Sequence, residues 1–129
     1  VTSYIELARE LQDIDRQNLL NVEEDHLVSY VGECLEGGRP VIAASDYVKA
    51  VREQLRSAIQ APYYVLGTDG FGRSDTREKL RQFFEVNHQF IAYTALVKLY
   101  EIGVCEKKML SDFKKEFDID SDKPNPRLA

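Results

Sequence analysis

Apolar residues in the opening segment recur at helical spacing: Tyr4, Leu7, Ala8, Leu11 and Ile14 fall on one face, with Arg9, Gln12, Asp13 and Arg16 on the other. The pattern predicts an amphipathic helix, and Ser3-Tyr4-Ile5-Glu6 has the spacing of a capping box that would start it. Periodicity lapses over residues 18–25, which read as an irregular connection. A short helix follows over 27–35 and closes at Gly37-Gly38. Pro40-Val41-Ile42-Ala43-Ala44-Ser45 is a short β-favouring run, with Ser45-Asp46 placed to cap a helix over 46–58 that buries Tyr47, Val48, Val51, Leu55 and Ile59. Pro62 ends that helix unit, and Tyr63-Tyr64-Val65-Leu66 predicts the next strand. Short apolar strands separated by helices indicate βαβ connection, a right-handed crossover and a parallel sheet.

Beyond a glycine-dense loop, Asp75-Thr76-Arg77-Glu78 again has capping-box spacing, and Leu80, Phe83 and Phe84 give the next short helix an apolar side. Asn87 is placed to cap a further helix. Over residues 90–102 every position except Thr94, Lys98 and Glu101 is apolar, and those three share one narrow stripe, so this helix is expected to be covered on most sides. Gly103 stops it. A last helix over 106–117 carries Met109, Leu110, Phe113 and Phe117 on one face, and residues 118–129, with Pro124 and Pro126, read as an extended polar tail. Two strands, plus a stump at residues 1–3, make a thin sheet, because three strands are near the lower limit for independent stability. The chain opens on Val1, without Met, as though cut through a strand. The expectation is one α/β domain over 1–129, excised from a longer protein and lacking an upstream strand.

At 129 residues the chain is the size of one domain, and 43% hydrophobic with 30% charged residues is globular composition. The formal charge of −5, with basic residues scattered among acidic ones, disfavours nucleic-acid binding. No run of about 18 apolar residues predicts a membrane helix, and no signal-peptide pattern opens the chain, so the expected compartment is the cytoplasm. Cys34 and Cys105 lie far apart, each in a hydrophobic setting and outside any CxxC pair, and are expected to be reduced structural thiols.

The most informative stretch is Gly67-Thr68-Asp69-Gly70-Phe71-Gly72-Arg73-Ser74-Asp75. Its glycines permit backbone angles that a side chain would forbid, and Ser74 or Asp75 can cap the helix that follows. Amides at that helix start, with Arg73 and Arg77 nearby, suit an anion. The spacing is nevertheless GxxGxG, neither the dinucleotide fingerprint nor a P-loop. Two readings stand: a phosphate- or nucleotide-binding loop using Gly70, Gly72, Arg73 and Ser74, or a structural and interface turn in which Arg73 and Asp75 pair with each other or with a neighbouring domain. His26 and His88 are the only histidines, and no Ser lies in a GxSxG elbow, so spacing yields no catalytic constellation. Asp118-Ile119-Asp120-Ser121-Asp122 lacks the glycine and terminal Glu of a calcium loop.

The segment YYVLGTDGFGRSDTREKLRQFFEV, with VTSYIELARE and SDYVKA upstream and DKPNPRLA at the end, resembles the C-terminal domain of the homodimeric bacterial pyruvate dehydrogenases, which are transketolase-like, thiamine-diphosphate-dependent enzymes. The resemblance runs nearly end to end. It implies a three-layer α/β/α domain with a mostly parallel sheet, here without the family's first strand and helix. It also implies a parent that decarboxylates pyruvate and reductively acetylates the lipoyl group of a dihydrolipoyl acetyltransferase component. In that family thiamine diphosphate and magnesium sit between the two preceding domains across the dimer, and those domains carry the catalytic groups. The cofactor signature is Gly-Asp-Gly followed further on by paired Asn; here Thr68 precedes Asp69-Gly70, and no Asn-Asn occurs. Where relatives have a Trp-Asn-Met-Leu-His-Pro-like run, this chain reads Gln17-Asn18-Leu19-Leu20-Asn21-Val22, and Asn87-His88-Gln89 also departs from the usual pattern. The resemblance therefore implies no catalytic, cofactor-binding or metal-binding residue here. It implies an interface loop of Gly67, Asp69, Gly70, Phe71, Gly72, Arg73, Ser74 and Asp75 facing the preceding domains, with Phe71 as anchor and Arg73 and Asp75 in polar contacts. A third reading is a docking module for the acetyltransferase component, carried by the acidic tail over residues 118–129.

Overall fold

The computed structural model describes residues 3–129. In chain order the elements are α1 (Tyr4–Leu20), α2 (Tyr30–Cys34), β1 (Val41–Ala44), α3 (Ala50–Glu53), a 3-10 turn (Arg56–Ala58), β2 (Tyr63–Leu66), α4 (Arg77–Phe83), α5 (His88–Glu101) and α6 (Lys107–Glu116). The chain divides into two compact units, one of residues 1–41 with 50–63 and the other of residues 42–49 with 64–129. β1 and β2 form a two-stranded sheet. Val41 donates its amide to the Pro62 carbonyl (2.9 Å), and Ser45 donates to that of Leu66 (3.2 Å). The offset is the same at both ends of the pair, so the strands are parallel, as the α/β reading requires. Of the strand stump expected at residues 1–3, Val1 and Thr2 lie outside the described residues, and Ser3 is the N-cap of α1.

In the first unit α1 begins as its sequence dictates: the Ser3 hydroxyl accepts the Glu6 amide at 3.2 Å. Glu6 does not close the box, because its carboxylate turns to Arg9 one turn on. The helix also runs past the lapse in periodicity to Leu20, leaving Leu19 and Leu20 73% and 60% exposed. The connection that follows is closed by Asn18, whose carboxamide donates to the Leu27 carbonyl (2.9 Å) and accepts the Leu27 amide (2.8 Å). The helix expected over 27–35 shortens to α2, because the Ser29 hydroxyl accepts the Gly32 amide and caps it there. Cys34 on α2 is a free, exposed thiol, outside the buried core of this unit. Ala8, Leu11, Val31, Leu55, Ile59, Ala61 and Tyr63 form the buried core of this unit. Tyr63 ties it together through its hydroxyl, which donates to the Arg52 carbonyl at 2.8 Å, while Arg56 lies over the ring and donates to the Tyr63 carbonyl.

The continuous helix expected over 46–58 does not form. The Ser45 hydroxyl takes the Tyr47 amide two residues on (3.1 Å), which makes a turn in place of a helix cap. Helix begins only at Ala50, and Tyr47 and Val48, expected to be buried, are 60% and 38% exposed. Leu55 and Ile59 are buried as expected.

In the second unit Ala43, Val65, Leu66 and Val86 are buried, and α5 and α6 pack as a helical hairpin. Tyr93 stacks on Phe113 (6.1 Å between centroids), and Phe113 meets Phe117 (4.4 Å). Asn87 caps α5 by accepting the Phe90 amide (3.0 Å), and Gly103, at φ +76°, ends it. The near-continuous apolar surface of α5 is not covered as expected: none of its residues is fully buried, and Tyr100 and Ile102 are 40% and 42% exposed.

Candidate functional site

The glycine loop leaves the C-terminal end of β2 and is held by the short segment that follows β1. Thr68 donates its amide to the Tyr47 carbonyl (3.1 Å), and Lys49 donates its own to Asp69 Oδ1 (3.0 Å). This pairing explains why helix is missing at 46–49: the backbone groups a helix would use there are taken by the loop. Gly67 is required by the same approach, since a Cβ at this position would lie 2.6 Å from the Tyr47 carbonyl oxygen. On its other side the loop meets the C-terminal segment. Gly70, at φ +115°, sits where a Cβ would come within 2.8 Å of the Pro126 carbonyl oxygen. Fixed at these points, the loop turns Phe71 outward to 83% exposure, and Gly72 faces open space.

The polar residues serve local structure. Asp75 accepts the Thr76 amide (2.7 Å) and lies 3.9 Å from Lys79, so it does not pair with Arg73. The N-cap of α4 is Thr76, which accepts the Lys79 amide, and this corrects the assignment of that role to Ser74 or Asp75. Ser74 is exposed. The Arg73 guanidinium lies over the Phe83 ring at 4.0 Å. Arg81 forms a two-pronged ion pair with Asp46 (2.7 and 3.2 Å), and this bonding holds the Asp46 carboxyl below the usual carboxylate range. The loop and α4 enclose a hollow of about 460 Å³ with Phe71, Leu80, Phe84 and Val86 on its apolar side. Arg73, Arg77 and Arg81 all border this hollow, but Arg73 lies on an aromatic face, Arg81 is paired with Asp46 and Arg77 also acts on that carboxylate, so the phosphate-loop reading is not favoured.

His26 and His88 are both exposed; His26 Nε2 lies 3.5 Å from the Asn18 amide nitrogen, and His88 opens α5. In the acidic tail, Asp118 terminates α6 at φ +50° and Asp120 accepts the Asp122 amide (2.8 Å). Among the described residues no group of three His, Cys, Asp or Glu is gathered to hold a metal.

Three features of this unit carry no local sequence signal. One is the Asp46–Arg81 pair. Another is Lys123, whose ammonium donates to the Gln82 and Phe83 carbonyls (2.7 and 2.6 Å) at the end of α4. The third is a crevice of about 870 Å³ bordered by Ser45, Asp46, Arg81, His88 and Phe117. Each joins residues far apart in the chain, beyond the reach of spacing arguments.

A family model described as the transketolase-like C-terminal domain matches residues 7–87. The pyruvate dehydrogenase E1 component of Cupriavidus necator is 47% identical over 125 residues, 96% of this chain and 14% of that protein. The E1 component of Escherichia coli K12 is 46% identical over 130 aligned positions, which cover 100% of this chain and 14% of the relative. That of Pseudomonas aeruginosa is 44% identical over 128, covering 98% and 14%. The chain thus spans about one seventh of the length of these curated relatives. Among the described residues no helix is long and apolar enough to cross a membrane.

Proposed function

We propose, because the chain belongs to the family of transketolase-like C-terminal domains, that it serves as the C-terminal structural and interface domain of a pyruvate dehydrogenase E1 component. The observation that carries this reading is the match to E1 components over essentially the whole chain. The parent, on this reading, is a cytoplasmic homodimer that decarboxylates pyruvate with thiamine diphosphate and magnesium and passes the acetyl group to the lipoyl group of a dihydrolipoyl acetyltransferase component. The loop contributes a surface, with Phe71 as its anchor against the preceding domains. Three facts support that role: Phe71 is exposed, the backbone beneath it is fixed at Tyr47, Lys49 and Pro126, and the polar loop residues are occupied with local contacts. One domain over 1–129, with 118–129 as its tail, is the corresponding organisation.

The residues present do not fit a diphosphate–magnesium site. Asp69 spends Oδ1 on the Lys49 amide, and among the described residues no three His, Cys, Asp or Glu side chains gather to hold a metal. No chemical step is therefore assigned to this chain. Supplied with pyruvate, thiamine diphosphate and magnesium, the isolated chain is expected to release no carbon dioxide above the protein-free control. Turnover that scales with protein concentration would contradict the assignment of a purely structural role.

A further inference from the structure

The C-terminal segment meets the end of α4 at one place and the glycine loop at another. At one, Lys123 is drawn into the end of α4: its side chain is only 21% exposed, its ammonium donates to the Gln82 and Phe83 carbonyls, and Glu85 lies 3.5 Å away. The same ammonium stands 5.6 Å from the centroid of the Phe83 ring, and the Arg73 guanidinium of the loop lies over that ring at 4.0 Å. Loop and tail thus share one aromatic side chain. At the other place, the Pro126 carbonyl and the Arg127 backbone press on Gly70 so closely that even a methyl group there would collide. Gly70 directly precedes Phe71. A segment fixed at Lys123 and again at Pro126 restrains the backbone that aims this side chain.

We propose that residues 123–127 act as a clasp that holds the glycine loop, and with it Phe71, in the conformation presented to neighbouring domains. The clasp regulates the surface described above, and in that respect it rests on the interface reading. Its test is made on this chain without any partner, so that its failure is distinct from failure of the interface role.

The measurement is amide hydrogen exchange by NMR on the full chain. The informative amides are those of Lys49 and Thr68, which bind Asp69 and Tyr47 at the root of the loop and do not contact Lys123. A change there reports the hold on the loop, and not the loss of a helix cap. Lys123→Met keeps an unbranched apolar stem and removes the donors; exchange at both amides is expected to accelerate about tenfold or more, with Lys123→Arg retaining the protection. Gly70→Ala opens the clasp from the loop side, and is expected to shift the amide resonances of Arg127 and Leu128. The clasp is overturned if Lys49 and Thr68 exchange within about twofold of the parent chain in Lys123→Met. It is equally overturned if acceleration is spread evenly over α1, or if Gly70→Ala leaves Arg127 and Leu128 unmoved.

Discussion

Gly67 and Gly72 sit in the same loop and bear different constraints. At Gly67 a Cβ would lie 2.6 Å from the Tyr47 carbonyl and 2.9 Å from Lys49 Cγ, whereas at Gly72 it would meet nothing within 4 Å. Gly67→Ala must displace backbone, and is expected to destabilise the chain by about 1–3 kcal/mol, in the range of overpacked interiors. Gly72→Ala is expected to stay within about 0.5 kcal/mol of the parent. Urea denaturation of the two variants checks both values, and equal effects would mean that the loop is not held as described. The sequence showed that glycines crowd here but not which of them is constrained, because the collision at Gly67 comes from Tyr47 and Lys49, far back in the chain. The local residue roles were more legible. Asn87 caps α5 and Ser3 caps α1, since each cap is decided by the three residues that follow it. The cap of α4 moved to Thr76 because Asp75 is engaged by the Thr76 amide.

Among the elements, those with strong periodicity formed where expected, and the departures have tertiary causes. α5 and α6 follow their apolar patterns closely, but α3 is only the four-residue remnant of a longer predicted helix. Hydrogen bonding to the loop outweighed the helical preference of residues 46–49. The joint between α3 and β2 also has a pH signature. Tyr63 is buried and its hydroxyl donates to the Arg52 carbonyl, and burial pushes the phenol up to about 12. A raised acid favours the protonated fold: the contribution is complete below pH ~10, the unfolded value, and is lost as pH rises toward that of the folded chain. Between about pH 9 and about pH 12 the loss should be on the order of 2 kcal/mol, and Tyr63→Phe should flatten this part of the profile. Urea midpoints measured across that range check it. An equally steep alkaline decline in Tyr63→Phe would assign the effect to other groups.

For the whole molecule, the α/β class and the family were both readable in the sequence, the class from two apolar strands around a helical segment and the family from the stretch at residues 63–86. The extent to which apolar surface is left uncovered was not readable. Leu19, Leu20, Val22, Phe71 and Val104 are each at least 60% exposed, and α5 has no fully buried residue. Periodicity says that a face is apolar and is silent on what covers it. Under the interface reading these surfaces are where the chain docks on the remainder of an E1 component seven times its length, and the loop supplies the most exposed aromatic. The most direct test is Phe71→Ala in the full-length enzyme, read by dimer dissociation in sedimentation velocity together with pyruvate turnover. If Phe71 anchors that interface, truncating it is expected to weaken the assembly by about 2 kcal/mol or more, roughly thirtyfold in the dissociation constant, and to lower turnover with it. Dimer stability and turnover both unchanged from the parent enzyme would contradict the assignment of this loop as an interface.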